Sequence, residues 1–87
     1  MNNTLIRGLS VIELLARSPQ ALGVTDIARS VGLPKSNVHR LLQALVEQRY
    51  VIRHRGGAYS ISIKLWELGS AALFGLDLRR HAERIME

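Results

Sequence analysis

Residues 24–43, Val-Thr-Asp-Ile-Ala-Arg-Ser-Val-Gly-Leu-Pro-Lys-Ser-Asn-Val-His-Arg-Leu-Leu-Gln, read as two short helices hinged at a glycine. Thr25 is placed to cap the first helix by accepting from its free amides. Ile27, Ala28 and Val31 give that helix one apolar edge, and Ala28 is small enough for a second helix to cross close by. Gly32 permits the positive-φ turn that ends the helix. Leu33 fills the corner, and Pro34, with fixed φ and no N–H, suits the start of the next helix. Val38, Leu41, Leu42 and Leu45 then follow the spacing of a buried helical face. This is the layout of a helix-turn-helix.

The opposite side of the second helix, over about 35–48, carries Ser36, Arg40, Gln43 and Glu47, flanked by Asn37 and His39. Arg, Asn, Gln and Ser are side chains that read base edges in the major groove. A merely solvated face would be polar too, so no single residue decides the matter. The complete arrangement, with Ala28, Gly32 and four core positions in place, points to a DNA reader.

The charge is placed to match. The chain has 87 residues, enough for one small domain, and its net charge is +5. Residues 35–64 hold Lys35, Arg40, Arg49, Arg53, Arg55 and Lys64 against Glu47 alone, so the whole surplus lies on the reading helix and the segment just after it. A polyanionic partner is the economical reading. With 47% hydrophobic residues the chain can bury a modest core. Absence of cysteine excludes a disulfide framework or a thiolate zinc site and fits a reducing cytosol. The N-terminus has neither a signal peptide's apolar core nor a membrane span.

Upstream, a helix is expected from about Ile6 to Arg17, with Leu9, Ile12 and Ala16 on one side and Leu5, Val11 and Leu15 widening it. Ser18-Pro19-Gln20 ends it. Ala21-Leu22-Gly23-Val24 is a short extended bridge of the kind that pairs weakly with a later hairpin. Downstream the period changes. Residues 50–55 and 58–61 alternate as strands, and Gly56-Gly57 between them is a two-residue hairpin signal. Val51, Arg53 and Arg55 fall on one face of this wing, Ile52 and His54 on the other. Arginines near a wing tip lie along phosphates or reach into the minor groove; positive charge that guards an edge hairpin against aggregation is the plainer alternative. The fold class is therefore mainly α with a small β-hairpin: a three-helix core, a two-stranded wing at 50–61, and a linker helix.

That linker helix begins near Ser62, a suitable N-cap. Leu65, Leu68, Ala72 and Leu76 form one stripe, with Trp66 and Leu73 beside it and Phe74 adding apolar surface. Either a second copy or another domain covers it, or it packs back on the core. Gly75 is expected to break the helix and Asp77 to cap another that runs to Glu87. The domain plan is thus 5–62 for the winged helix, 63–76 for the linker helix, and 77–87 for the start of a C-terminal domain. A helical pattern with no C-cap glycine at its end implies a piece of a longer protein.

Arg7-Gly8-Leu9, Asp26-Ile27-Ala28, the string from Gly32 to Leu42, and Trp66-Glu67-Leu68-Gly69 together resemble the N-terminal domain of IclR-type bacterial transcriptional regulators. The resemblance spans roughly residues 5–87, and its Gly32–Leu42 string is fairly specific among winged helices. It implies a cytoplasmic protein that forms dimers or dimers of dimers, binds palindromic operators, and senses a small organic effector through a C-terminal domain absent here. One departure stands out: the family commonly has Leu-Gly after the wing's Tyr-x, where this chain has Ile61-Ser62. Serine still caps well, so the direction of the linker helix is affected more than its existence.

The leading function is sequence-specific DNA binding in a transcription factor. Ser36, Asn37 and Arg40 would reach bases, supported by Lys35, His39 and Gln43, while Thr25, Arg53 and Arg55 would hold phosphates. The alternative is a winged-helix protein-interaction module using the apolar linker helix. Neither an enzyme nor a cofactor or metal site is expected, because His39, His54 and His81 lie on different elements without a paired carboxylate nearby.

Overall fold

The architecture follows from where the apolar side chains converge. In the computed structural model, which describes residues 3–86, the chain runs α1 (Asn3–Arg17), β1 (Leu22–Gly23), α2 (Val24–Val31), α3 (Lys35–Glu47), β2 (Val51–Arg53), β3 (Ala58–Ile61) and α4 (Ile63–Met86). Each element before α4 gives the core what its periodicity allows. Val11 and Leu15 come from α1, Ile27 and Ala28 from α2, Val38 and Leu42 from α3, and Val51 and Tyr59 from the sheet. Leu33, Leu41 and Leu45 pack around this cluster, so the corner and the expected face of α3 are both in use.

Helix α1 starts earlier than expected and turns a different side inward. Val11 and Leu15 are buried, whereas Leu5 and Leu9 are 60% and 50% exposed. The helix is apolar on more than one side, and α2 and α3 together can cover only one of them. The uncovered side forms an apolar depression in which Leu5, Leu9 and Ile12 meet Leu41, Leu45, Tyr50 and Leu65.

The extended bridge does become a strand. Antiparallel pairing of Leu22 with Tyr59 and Gly23 with Ala58 puts β1 on the far side of β3, so the sheet has three strands in the order β1-β3-β2. The wing is thus better anchored than a lone hairpin. This pairing also moves the start of α2. Gly23 is the N-cap, with no side-chain cap bond, and Thr25 sits inside the first turn. The expected cap role of Thr25 is therefore corrected: the strand delivers the chain to the helix two residues too early for it.

Both helices of the helix-turn-helix end in left-handed backbone. Gly32, at φ 70°, ends α2, and the amides of Gly32 and Leu33 both donate to the Ala28 carbonyl at 2.9 and 3.1 Å. At the end of α3, Arg49 takes φ 68°, the amide of Arg49 donates to Val46 O, and that of Tyr50 to Leu45 O. This is a Schellman closure with arginine in the position usually held by glycine.

In the wing, Val51 faces Ile61, Ile52 faces Ser60 and Arg53 faces Tyr59. Gly56 and Gly57 do take positive φ, 95° and 87°, but the loop is Arg55–Gly57 rather than the glycine pair alone, because His54 N still donates to Ala58 O across the hairpin. Arg55, however, leaves the strand alternation. Strand β2 ends at Arg53, and the His54 carbonyl accepts from Gly57 N across a turn that holds Arg55.

Helix α4 begins where Ser62 caps it, the hydroxyl accepting from Lys64 N at 3.2 Å. It then continues for 24 residues, about 36 Å, without a break. Gly75 does not interrupt it and Asp77 starts no new helix. A single interior glycine costs only about 1 kcal/mol relative to alanine, which helix formers such as Ala71, Ala72, Leu76 and Leu78 outweigh. Glu87 lies outside the described residues. Trp66, Leu73 and Phe74 are each more than two-thirds exposed, so within one chain this stretch of α4 does not pack back on the core.

Candidate nucleic-acid interface

The solvent side of α3 is the centre of the candidate site. Val38 and Leu42 are held fully inside the core, and this rotates Lys35, Ser36, Arg40, Gln43 and Glu47 outward. Lys35, Ser36, His39, Arg40 and Gln43 are all exposed, and Asn37 is half-buried at the edge of the face. The helix starts at Pro34, whose φ of −60° and ψ of 147° turn the chain into the first turn with no side-chain cap. The first amides of α3 are thus left without a capping side chain, at the positive end of the helix dipole.

A depression borders α3 on each side. Toward the wing, His39, Gln43, Val46 and Glu47 line a cleft with Arg53 and Tyr59. Arg53 stands directly across from Tyr59 on the sheet and shares this cleft with α3 while remaining exposed. Arg55 is exposed near the wing tip. His54 is on the other face, its Nε2 at 2.7 Å from Ser60 Oγ, and so turns away from α3. This is the face, shared with Ile52, on which the strand alternation puts it.

Toward α1, Asn37, Arg40, Leu41 and Ala44 line a second cleft with Thr4 and Arg7. Arg7 is a candidate that sequence reading misses. Its signal was present in the spacing of Thr4 and Arg7 on one side of α1. Helical periodicity alone does not say that this side faces Asn37 and Arg40.

The candidate residues thus assemble as a convex helix between two arginine-bearing shoulders, Arg7 on one and Arg53 on the other. Among the described residues the one ion pair is Arg29 with Asp26, at 3.7 Å and well exposed. Among the described residues, then, no cation of this face forms an ion pair. Thr25 is exposed in the first turn of α2 and lines neither of these clefts. Among the described residues no three His, Asp or Glu side chains gather in a metal-binding group. No helix there is long and apolar enough to cross a membrane.

Comparison with known proteins agrees with this geometry. A family model described as the IclR helix-turn-helix domain matches residues 4–55. The transcriptional regulator KipR of Bacillus subtilis is 30% identical over 86 residues, which cover 99% of this chain and 34% of KipR. The crystal structure of an IclR family transcriptional regulator from Brucella abortus superposes with a TM-score of 0.82 at 34% identity, covering 100% of this chain and 34% of that one. An IclR homolog from Microbacterium hydrocarbonoxydans, complexed with 4-hydroxybenzoate, superposes with a TM-score of 0.69 at 30% identity, covering 76% of this chain and 28% of that one. The chain thus spans about a third of the length of the relatives it matches.

Proposed function

Since the chain belongs to the IclR family and carries its helix-turn-helix DNA-binding domain, we propose that it reads a palindromic operator as a pair of copies, with α3 in the major groove. The observation that carries this reading is the exposed, unpaired face of α3 between two arginine-bearing clefts. A helix of this width fits the major groove of B-DNA, and its flanks then run beside the two phosphate backbones. In that docking Ser36, Asn37 and Arg40 contact base edges, with Lys35, His39 and Gln43 in support. Arg53 and Arg55 of the wing hold one backbone. Thr25 and the uncapped start of α2 offer a further phosphate contact. Arg7, which shares a cleft with Arg40, holds the opposite strand.

The second copy is drawn in by apolar surface. Trp66, Leu73 and Phe74 stand exposed on α4, and the α1 side bearing Leu5 and Leu9 is open beside its first turns. Patches of this kind on a small domain mark interaction surfaces, and two-fold pairing matches the symmetry of an operator. Beyond α4's first half, residues 77–87 lead toward a second domain. By analogy with the 4-hydroxybenzoate complex, that domain would bind a small organic effector. The working compartment is the cytoplasm, where operator DNA is found.

Selection of bound duplexes from a random pool tests the proposal. An enriched inverted repeat, with half-site centres about 34 Å or a multiple apart, is the expected outcome. A pool that shows no enrichment counts against it.

A further inference from the structure

The end of α3 and the start of α4 are joined by a dense set of polar contacts. Three successive carbonyls, those of Gln48, Arg49 and Tyr50, are each taken by the segment Ser62–Lys64. Lys64 Nζ donates to Gln48 O at 2.8 Å. The Ser62 hydroxyl donates to Arg49 O. The Ser62 amide donates to Tyr50 O at 3.0 Å. Lys64 Nζ also sits 4.2 Å above the centre of the Tyr50 ring. Ser62 is only 9% exposed, and the same hydroxyl accepts from Lys64 N as the cap of α4.

Two features make this more than a capped helix. Arg49 is held in left-handed backbone, which aims its carbonyl out of the helical ladder and toward Ser62. And Ser62 uses one hydroxyl for two helices, donating to the end of one and accepting from the start of the other. A glycine at this place would leave both bonds unmade. The direction in which α4 leaves α3 is therefore set by side chains as well as by the path of the wing.

We propose that Ser62, with Lys64, is a positioning residue for DNA reading: it locks α4 to the end of α3 and so fixes the separation of the two α3 helices when two copies pair. This rests on the paired-copy reading given above. A loosened junction leaves each α3 face intact for a single half-site. It spreads the second α3 over many positions and lowers its effective concentration at the second half-site.

Two measurements test it on the chain as it stands. Because the sequence has no cysteine, Ser30→Cys on α2 and Ala71→Cys on α4 can carry spin labels, diluted with unlabelled chain so that only intrachain distances are read. A narrow distance distribution is expected, broadened by Ser62→Ala and restored by Ser62→Thr, which keeps the hydroxyl. In parallel, Ser62→Ala should weaken binding to the best-spaced pair of half-sites by about tenfold while a single half-site changes by about twofold or less, and flatten the preference for one spacing. An unchanged distribution, or equal losses on single and paired sites, overturns the proposal. If the parent chain shows no sequence preference at all, the DNA reading itself fails, and the label distances still report on the junction independently.

Discussion

Gly32 and Arg49 adopt the same left-handed backbone, at φ 70° and 68°, at the ends of the two helices that make the helix-turn-helix. One is the residue type that takes this conformation freely, and the other is not. No side chain or backbone lies within 4 Å of a Cβ added at Gly32. Gly32→Ala should therefore destabilise the fold by about 1 kcal/mol through conformation alone, lowering Tm by about 4–8 °C. Arg49→Gly should do the reverse, raising stability by about 0.5 kcal/mol, because the strain is relieved and the new glycine's entropy offsets part of the gain. Thermal unfolding of the two variants beside the parent checks both signs. Equal effects of the same sign would mean that the two helix ends do not share this geometry.

Burial separates two leucines that helical periodicity treats alike. Leu42 is fully buried in the centre of the core, while Leu9 on α1 is half exposed beside the apolar depression. Leu42→Ala should cost about 2–5 kcal/mol of folding stability. Leu9→Ala should cost much less in the isolated chain and weaken association between copies instead. Denaturant titration and sedimentation measure the two effects separately.

The exposed apolar stretch of α4 gives a sharper test of pairing. Leu73→Glu introduces a charge beside Trp66 on one side of a helix that is already solvated in the single chain. Folding stability should hardly change, whereas any dimer formed through α4 should dissociate at least tenfold more readily, since an unpaired charge is desolvated at the contact. Sedimentation equilibrium with unchanged association would exclude this face from the interface.

Arg7 and Arg53 lie in clefts on opposite sides of α3. If each neutralises a phosphate, Arg7→Ala and Arg53→Ala should each reduce the slope of log affinity against log salt by about one unit on any duplex. The double variant should lose the two contributions additively, because the sites are separated by the width of α3.

The fold was largely legible because its strongest signals are local. Gly32 in the turn, the Val38–Leu42 core face and the glycine pair of the wing each act within a few residues, and each appears where local chemistry puts it. The errors share one origin, which is competition from contacts distant in sequence or from strong neighbours. Pairing of Leu22 and Gly23 with β3 displaced Thr25 from its cap. Good helix formers on both sides carried α4 through Gly75. In the candidate site, the exposed α3 residues lie opposite the core face, where helical periodicity puts them, whereas nothing local in the sequence places Arg7 beside them. Its relevance arises only when α1 is laid against α3.

The most direct test of the central claim compares Arg40→Ala with Arg53→Ala on a selected operator and on a scrambled duplex, each across several salt concentrations. If α3 reads bases while the wing grips backbone, Arg40→Ala should lose roughly 1–3 kcal/mol on the operator, relax selectivity at one base pair, and change little on scrambled DNA. Arg53→Ala should weaken both duplexes alike and flatten the salt dependence of each. Identical losses for the two variants on both duplexes, with no change in selectivity, would contradict that division of roles.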